Sequence, residues 1–507
     1  MRVLLKRALV LLAVLLVLAA FGLAAGVLWP ERLPEVPPAA ELLVIENVTV
    51  VDAETATLRP GMTVEVENGR IRRLAPAAGE SPSGLVVDGT RKFLIPGLWD
   101  MHVHLPLKLS THFHLPLFVA HGVTAVRDMM DCRNPSHRVF ACLEDKRSWN
   151  DAVGRGELAG PRVMGVASFI VEDPSLRDER FPSFFTPGNE SEARELVRYA
   201  KGRSFDFLKV YDSVPRDVYL ALLDEAKAQS LEVVGHRPRA VSAMEASEAG
   251  QRSLEHARLF LEECYPGAEK LRSEDRRYET ADRRAMVDEH DAFQCDELFA
   301  AMRDNGTWFV PTHVTRKMDA FADDPAYRED PRLRYIHPFQ RKVWSEDADG
   351  VVANDPSPEG RKAYMDFYEK GLELTGAAYR TGVPVLAGTD ANDTYAFPGS
   401  GLHDELEELV KAGLTPSEAL VAATVSPARY FGVEGEYGCI AEGKTADMVL
   451  LRENPLSDIR NTRSIEAVVL GGTLYRREDL DALLTGVEES VGSLTLGAKL
   501  LWAFVWN

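Results

Sequence analysis

Short segments in which apolar and polar residues alternate come first after an apolar amino-terminal stretch. They are Leu42–Ile45, Val48–Val51, Thr63–Val66 and Ile71–Leu74. Alternation with a period of two predicts β-strands that bury one face. Asn68-Gly69 separates the last two segments and favours a two-residue hairpin turn. Residues 41–93 are therefore predicted to form antiparallel sheet.

A different pattern runs from about Leu94 to Phe431, where short apolar segments alternate with longer helical ones. The apolar segments include Thr124–Val126, Val163–Val166, Phe207–Val210, Val233–His236, Trp308–Val310 and Pro384–Ala387. This alternation indicates βαβ units and a parallel sheet. Roughly eight such units over about 340 residues suit a (β/α)8 barrel, to which we assign residues 94–434.

The strand pattern returns after the barrel region, in Asp447–Leu451 and Ala467–Leu470. Residues 435–478 should complete a small β-sandwich with residues 41–93. The predicted fold class is thus α/β, with a TIM-like barrel inserted between the two parts of that sandwich. Within the barrel region, residues 329–361 are polar and without clear periodicity, which predicts an excursion or lid.

The first thirty residues differ from the rest of the chain. Arg2, Lys6 and Arg7 precede an uninterrupted apolar run from residue 8 to residue 29. A run of more than ~18 apolar residues predicts a transmembrane helix. The preceding positive charges place the rest of the chain on the extracytoplasmic side, periplasmic or extracellular. The alternative is a signal peptide that is cleaved, leaving a secreted protein.

The regions next to this segment and at the far end of the chain are less regular. Residues 31–40 are rich in proline and alanine and are predicted to be a linker. In the tail, residues 479–507, the apolar stretch 494–506 is too short to span a bilayer. We expect it to pack on the membrane surface beside the amino-terminal helix, or in a contact between subunits of a homo-oligomer.

Charge and cysteine content limit the partners and the compartment. The net charge of −20 argues against nucleic acid, because phosphates require a basic face. The chain has five cysteines: Cys132, Cys142, Cys264, Cys295 and Cys439. In an exported protein Cys132 could pair with Cys142, or Cys264 with Cys295, leaving one over. Buried free thiols are the alternative.

Residues with metal-ligand chemistry follow several of the predicted barrel strands. His102 and His104 lie two apart on an extended segment, so their side chains point to the same side. Further candidates lie at or near the ends of later strands: Lys209, His236, His256 and Asp390. Functional residues of such a barrel come from the carboxyl ends of its strands. The sequence therefore predicts that these side chains meet at one site.

A second pair, His112 and His114, has the same spacing but a different setting. The apolar residues that follow predict a helix, in which a step of two residues rotates a side chain by ~200°. The two rings should then point apart. Metal-binding pairs on helices are spaced four apart. We therefore predict that His112 and His114 are exposed or structural helix residues.

The candidate ligands occur in motifs that resemble the amidohydrolase superfamily, and more narrowly its imidazolonepropionase-like and Xaa-Pro dipeptidase-like branch. The motifs are Pro96-Gly-Leu-Trp-Asp-Met-His-Val-His104, Phe207-Leu-Lys209, Gly235-His236, Glu255-His256 and Gly388-Thr-Asp390. The resemblance extends from about Val44 to Leu474. One His-x-His motif is weak evidence, whereas the ordered set is specific.

The resemblance implies six ligands for two divalent metal ions: His102, His104 and Asp390 for the first, His236 and His256 for the second, and a carboxylated Lys209 bridging both. Zinc is the expected metal because it accepts nitrogen and oxygen ligands. Two such ions lower the pKa of a shared water towards ~7. Asp390 would be the catalytic residue, acting first as general base and then as general acid.

The resemblance also implies that the enzyme hydrolyses an amide bond in a small molecule, either a dipeptide (Xaa-Pro-like) or an N-acyl amino acid. Arg237 and Arg239 would clamp the carboxylate of such a substrate, or are ordinary loop charges. His313 either faces the substrate or has a structural role. Ala257 replaces a common glycine, and a charged insertion follows His256, so the substrate stays open.

Two other functions fit the same residues. The metal site could serve a hydrolase of cyclic amides, lactones or organophosphates. The chain could also be a catalytically silent surface binding protein, although its complete ligand set argues against this.

Overall fold

The computed structural model describes residues 7, 11, 25–28, 33–77, 84–274 and 276–505. Its strands are β1 (Leu42–Asp52), β2 (Thr57–Glu67), β3 (Arg70–Pro76), β4 (Leu85–Asp88), β5 (Phe93–Pro96), β6 (Leu98–Val103), β7 (Val123–Asp128), β8 (Arg162–Val166), β9 (Phe207–Val210), β10 (Glu232–Gly235), β11 (Ser253–Glu255), β12 (Trp308–Val310), β13 (Met448–Leu451), β14 (Ile465–Leu470) and β15 (Thr473–Arg476).

The helices before the insertion that follows β11 are α1 (Ser110–Phe113), α2 (Leu115–Ala120), α3 (Leu143–Gly154), α4 (Glu190–Gly202), α5 (Arg216–Gln229), α6 (Ala243–Glu248) and α7 (Arg258–Glu263). Those after it are α8 (Ala268–Ser273), α9 (Thr280–Asp288), α10 (Ala292–Asn305), α11 (His313–Phe321), α12 (Pro325–Arg328), α13 (Pro338–Asn354), α14 (Pro358–Thr381), α15 (Ser400–Lys411), α16 (Pro416–Ala422), α17 (Val425–Phe431), α18 (Arg477–Gly492) and α19 (Leu494–Val505).

Eight parallel segments form a closed ring in the middle of the chain. Strands β6 to β8 pair in sequence, as do β9 to β12. Isolated bridges complete the ring: Val171–Val210 between the two groups, then Phe309–Val385 and Val103–Ala391. The eighth member, residues 385–391, is joined to β12 by one bridge and to β6 by another. The sequence predicted a regular strand at Pro384–Ala387 instead. The predicted alternation of strands and helices around a barrel is thus observed.

The small sheet is built from both ends of the folded region, as predicted. Its eight strands have the order β15-β14-β13-β5-β1-β2-β3, with β4 beside β1. The two parts of the predicted sandwich are therefore one continuous hydrogen-bonded sheet. Strand β1 is antiparallel to β2 but parallel to β4 and β5, so the sheet is mixed. Apolar residues of both parts enclose one core, separate from that of the barrel.

The hairpin and the helix start that the sequence predicts are both present. Asn68 and Gly69 join β2 to β3, and both have positive φ, as a type I′ turn requires. Helix α16 begins at a capping box in which Thr415 and Glu418 bond reciprocally to backbone N–H groups. These local signals need no tertiary context, which explains why sequence alone identifies them.

The predicted excursion at residues 329–361 is largely helical. Helix α13 occupies its centre, and Trp344 from this helix packs on Tyr395 and Phe397, with ring centroids 5.6 and 5.4 Å apart. Both aromatic partners follow the eighth barrel segment. The excursion is therefore attached beside the carboxyl ends of the barrel strands.

Two disulfides connect the cysteines that are nearest in sequence, Cys132 with Cys142 and Cys264 with Cys295. Cys439 is a free, exposed thiol. Each disulfide closes a loop that follows a barrel strand. Of the two interpretations that the sequence left open, pairing is the one observed.

The predicted transmembrane segment falls almost entirely outside the described residues. In the portion that the structure describes, no helix has both the length and the apolar composition to cross a bilayer. Helix α19 leaves Leu494, Leu501 and Trp502 exposed. Ala498 of this helix lies close to Gly26, so the tail is next to the amino-terminal segment.

The barrel core predicts a large cost for one aromatic substitution. Phe260 is fully buried, with its ring centroid 4.2 Å from that of Phe309 and 4.9 Å from that of Phe299. Phe260→Ala should lower the free energy of unfolding by about 3–5 kcal/mol, because it leaves a cavity. Phe293→Ala is the matched control, since that side chain is 70% exposed. Urea denaturation measures both, and equal stability of the two variants would contradict the packing described.

Candidate active site

Three predicted ligands meet at the junction of β6 and the eighth barrel segment. His104 Nε2 is 2.8 Å from Asp390 Oδ1, and His102 Nε2 is 3.3 Å from the same oxygen. One ligand atom of each residue lies within 4.8 Å of the others. Backbone bonds fix this approach, since Asp390 donates its N–H to the His102 carbonyl at 2.7 Å. The first predicted metal group is therefore assembled.

The other three predicted ligands complete a second group beside the first. His236 Nε2 and His256 Nε2 are 2.9 Å apart. Lys209 is buried, and its Nζ is 3.5 Å from His102 Nε2. Each of these side chains comes from the end of its own strand, β9, β10 or β11. Lys209 therefore lies beside the first group and lines the same cavity as the other five residues.

The hydrogen bonds of the histidines show that a cation fits between these atoms. His102 Nδ1 lies 2.9 Å from an oxygen of the Glu255 carboxylate. An ionised carboxylate can only accept a hydrogen bond, so His102 Nδ1 is the donor. When neutral, His102 therefore carries its proton on Nδ1 and presents a bare lone pair at Nε2. That lone pair faces a carboxylate oxygen of Asp390, so two acceptors lie 3.3 Å apart. Such an arrangement suits a shared metal ion.

The same reasoning holds for the second group. His236 Nδ1 bonds the Asp212 carboxylate, so its Nε2 is also a lone pair when the ring is neutral. His256 Nε2 lies 2.9 Å from His236 Nε2, and it presents a second lone pair there when His256 Nδ1 donates to Thr312 Oγ1, 2.8 Å away. The residues present therefore fit two divalent ions.

Burial favours the uncharged forms of two candidate ligands, His102 and Lys209. It lowers the pKa of His102 to about 4, so this imidazole is neutral at pH 7. Burial also lowers the pKa of Lys209 to about 8, which leaves a larger neutral fraction than an exposed lysine has. Neutral imidazole binds metals, and only a neutral amine can add carbon dioxide. The electrostatics match the predicted chemistry.

A buried ion pair orients the first histidine. Arg127 donates to both oxygens of Glu255, at 2.9 and 3.1 Å, and both side chains are fully buried. Arg127 also donates to the Met101 carbonyl at 2.6 Å. Burial raises the pKa of Glu255, but Arg127, His102 and Lys209 together outweigh this effect and bring the pKa to about 2. Glu255 therefore stays charged and holds the proton of His102 on Nδ1.

Glycine is required at two positions around the ligands. A Cβ on Gly388 would lie 2.9 Å from the backbone nitrogen of His102. Gly235 has φ +117°, and a Cβ there would lie 2.5 Å from the Val210 carbonyl. In the sequence both glycines belong to the motifs that contain the ligands, and nothing there indicates why glycine is needed. The structure shows that they let neighbouring strands approach closely at the site.

A cavity of about 440 Å³ lies over the ligands and is named here the metal-site cavity. Besides the six ligands it is lined by Tyr211, Arg258 and Arg316, and by Gln340 from the helical excursion. Tyr211 stacks on His236 with centroids 4.1 Å apart. Burial and the nearby Asp212 raise the pKa of Tyr211 to about 12, so its hydroxyl remains a donor.

Sequence reasoning missed the residues that surround the ligands. Asp212 accepts from Arg258 at 2.8 Å while it also holds His236. Arg127 belongs to β7 and carries no motif of its own. The available signal for Asp212 and Arg258 was their position in the sequence. Asp212 is three residues after Lys209, and Arg258 is two residues after His256, so both are close to a predicted ligand.

The predicted substrate-binding residues have mixed locations. Arg237 is buried and bonded to Glu262 and Glu263, so its guanidinium is already engaged. Arg239 is exposed and lines a second cavity beside the metal site. His313 is buried and its Nε2 is 3.0 Å from Thr375 Oγ1. His313 does not belong to the described lining of the metal-site cavity.

The second His-x-His pair is helical, as predicted. His112 lies in α1, and His114 is the first residue after that helix. His114 is buried and bonds Ser110 Oγ at 3.1 Å. Burial lowers the pKa of His114 to about 3. The pair therefore belongs to the packing beside the barrel and not to the metal site.

Comparison with known proteins agrees with the geometry of the site. The sequence model of the amidohydrolase family matches residues 93–475. The chain therefore belongs to the amidohydrolase family and is a hydrolytic enzyme. An uncharacterised protein of Mycobacterium tuberculosis is 26% identical over 423 residues, which cover 81% of this chain and 91% of that protein.

Solved structures share the fold. The bottromycin amidohydrolase structure has a TM-score of 0.67 at 23% identity and covers 93% of each chain. A Xaa-Pro dipeptidase with bound methionine has a TM-score of 0.61 at 20% identity, covering 86% of this chain and all of that one. At these identities the likeness concerns the fold.

The ion pair behind His102 generates a prediction about metal affinity. Glu255→Gln removes the charge that fixes the His102 proton, so we expect metal affinity to fall by about 10- to 100-fold. Titration of the metal-free protein with zinc, followed by calorimetry, measures this change. Glu157→Gln is the control, because Glu157 forms an exposed ion pair with Arg155. Unchanged zinc affinity in Glu255→Gln would contradict the role given to the pair.

Proposed function

We propose that this protein is a binuclear metal-dependent hydrolase that cleaves the amide bond of a dipeptide or an N-acyl amino acid. The observation that carries the proposal is the convergence of six ligand side chains in two adjacent groups beneath one cavity. The lone pair of His102 faces an acceptor oxygen of Asp390, which favours a cation between them. Lys209 lies 3.5 Å from His102 and lines the same cavity as the other ligands, and its carboxylated form would bridge two zinc ions.

Different side chains of the metal-site cavity would act in different steps of the hydrolysis. Two bound divalent ions would supply a water of lowered pKa and would polarise the substrate carbonyl. The Asp390 carboxylate lines the cavity and would accept the proton of that water, then return it to the leaving amine. Tyr211 would donate a hydrogen bond from the cavity wall. Gln340, on the excursion, would help to close the cavity over the substrate.

A second cavity supports a substrate that carries a carboxylate. It has a volume of about 290 Å³, and its wall has eight arginines against five acidic residues. We name it the arginine-rich cavity after these residues: Arg237, Arg239, Arg258, Arg272, Arg276, Arg277, Arg283 and Arg316. Arg258 and Arg316 also line the metal-site cavity. A carboxylate next to the scissile amide would therefore meet a surplus of positive charge.

We also propose an extracytoplasmic location, with the chain held at a membrane by its apolar residues 8–29. The two disulfides support this location, because disulfides persist in oxidising compartments. Exposed apolar residues of α19 near Gly26 support an attachment that involves both ends of the chain. Fractionation of cells that produce the full chain tests the proposal, and recovery in the cytosol would contradict it.

Substitution of Asp390 tests the amide-hydrolase proposal. Asp390→Asn keeps the shape of the side chain but removes the proton acceptor, so kcat should fall by about 10²- to 10⁴-fold. Turnover is measured on libraries of Xaa-Pro dipeptides, other dipeptides and N-acyl amino acids, beside lactones and an organophosphate. Asp304→Asn is the control, since that carboxylate is exposed. Turnover of the lactones or the organophosphate alone would replace the proposed substrate class.

The bridging role of Lys209 can be tested without an activity assay. Protein loaded with zinc in ¹³C-bicarbonate should show a carbamate signal in its ¹³C NMR spectrum. Lys209→Met should lack this signal and should bind fewer zinc ions per chain, as elemental analysis would show. A native protein that binds two zinc ions without a carbamate signal would contradict the bridge.

A further inference from the structure

A third cavity adjoins the metal-site cavity. It has a volume of about 840 Å³ and lies between the loop after β7, residues 129–142, and the loop after β8, residues 167–189. Pro106 and Met130 line both this cavity and the metal-site cavity, so the two are neighbours. Both loops follow the carboxyl ends of barrel strands, where substrates bind in this fold.

Aromatic rings dominate the wall of this third cavity, which we name the aromatic cavity after Phe140, Phe181, Phe185 and Tyr199. Phe181 and Phe185 are stacked, with centroids 5.8 Å apart and planes 10° apart. Tyr199 lies 5.0 Å from Phe185, and His137 stacks on Phe140 at 4.4 Å. Such rings offer both faces and edges to an incoming ring.

The charged residues on the same wall have partners within the protein. Arg133 pairs with Glu172 at 2.7 Å, and Arg180 pairs with Asp178 at 2.7 Å. Asp131 is buried with one oxygen 3.5 Å from the Lys146 ammonium. Fewer charged residues line the aromatic cavity, two arginines and one aspartate, than line the arginine-rich cavity. The chemistry of the aromatic cavity favours an apolar ligand.

The wall of the aromatic cavity is held in place from two directions. The Cys132–Cys142 disulfide closes the loop that contributes His137 and Phe140. On the other side Phe185 is buried and stacks on Phe169 at 4.3 Å. Binding in a preformed cavity avoids the entropic cost of ordering its walls. The disulfide and the ring stack therefore hold both walls of the cavity in place.

We infer that the aromatic cavity is the subsite for a bulky aromatic group of the substrate, an inference that rests on the proposed amide hydrolysis. The metal-site cavity shares residues with the arginine-rich cavity on one side and with the aromatic cavity on the other. A substrate amide over the ligands would have its anionic end among the arginines. Its apolar end, a bulky aromatic ring, would lie among Phe140, Phe181 and Phe185.

The test compares matched amides with the full chain loaded with zinc. N-(2-naphthoyl)glycine is compared with N-acetylglycine, and N-acetyl-3-(2-naphthyl)alanine with N-acetylalanine, so that the ring is tried on either side of the amide. In at least one pair the naphthyl compound should have a kcat/KM about tenfold higher. Phe140→Ala and Phe181→Ala should each reduce that preference several-fold while the small substrate is little affected.

Phe293→Ala is the matched control, because it removes an exposed ring far along the chain, and it should keep the full preference. A preference that is absent from both pairs, or that survives both cavity substitutions, overturns the aromatic subsite. Binding of 2-naphthoate, followed by its fluorescence, separates this inference from the proposed function. If no amide is cleaved, naphthoate binding that Phe181→Ala weakens and Phe293→Ala does not would sustain the subsite. Loss of both cleavage and binding would overturn it.

Discussion

The ion pair between Arg127 and Glu255, fully removed from water inside the barrel, is the constraint on which the site depends. Burying two charges is costly unless their hydrogen-bonding capacity is met. Arg127 meets it with donors to Glu255, the Met101 carbonyl, Ser253 and Tyr430. The carboxylate then accepts from His102 and fixes its tautomer. One interaction thus connects three barrel strands and prepares the first metal ligand.

The convergence of the candidate metal ligands could be predicted from the sequence because each lies at or near the end of a short apolar strand, and strand ends of a parallel barrel lie at one face. The residues around them could not. Arg127 is the fifth of the six residues of β7 and lies between Val126 and Asp128, and its partner is 128 positions away. Arg237 looked available because it follows a ligand, but Glu262 and Glu263 from the next helix engage it. Pairing across such distances is set by the fold.

The same division applies to the architecture. Periodicity and turn residues were enough for the two-part organisation, the hairpin at Asn68-Gly69 and the helix start at Thr415. The irregular eighth segment was not apparent, because residues 385–391 have the composition of an ordinary strand. Asp390, near the end of this segment, has φ +61°, a conformation unusual for any residue other than glycine. Its carboxylate faces His102 and His104 from that strained backbone, which no pattern of apolar residues reports.

The two disulfides enclose the walls of the site and not its metal ligands. The Cys132–Cys142 loop contributes part of the wall of the aromatic cavity, and the Cys264–Cys295 loop contributes four arginines of the arginine-rich cavity: Arg272, Arg276, Arg277 and Arg283. Each loop is anchored at both ends by its own covalent bond and contains none of the six ligands. If the two cavities select the substrate as proposed, insertions or replacements within either loop would alter which molecule is accepted and leave the six ligands in place. Selectivity and catalysis would then belong to separately anchored parts of the chain.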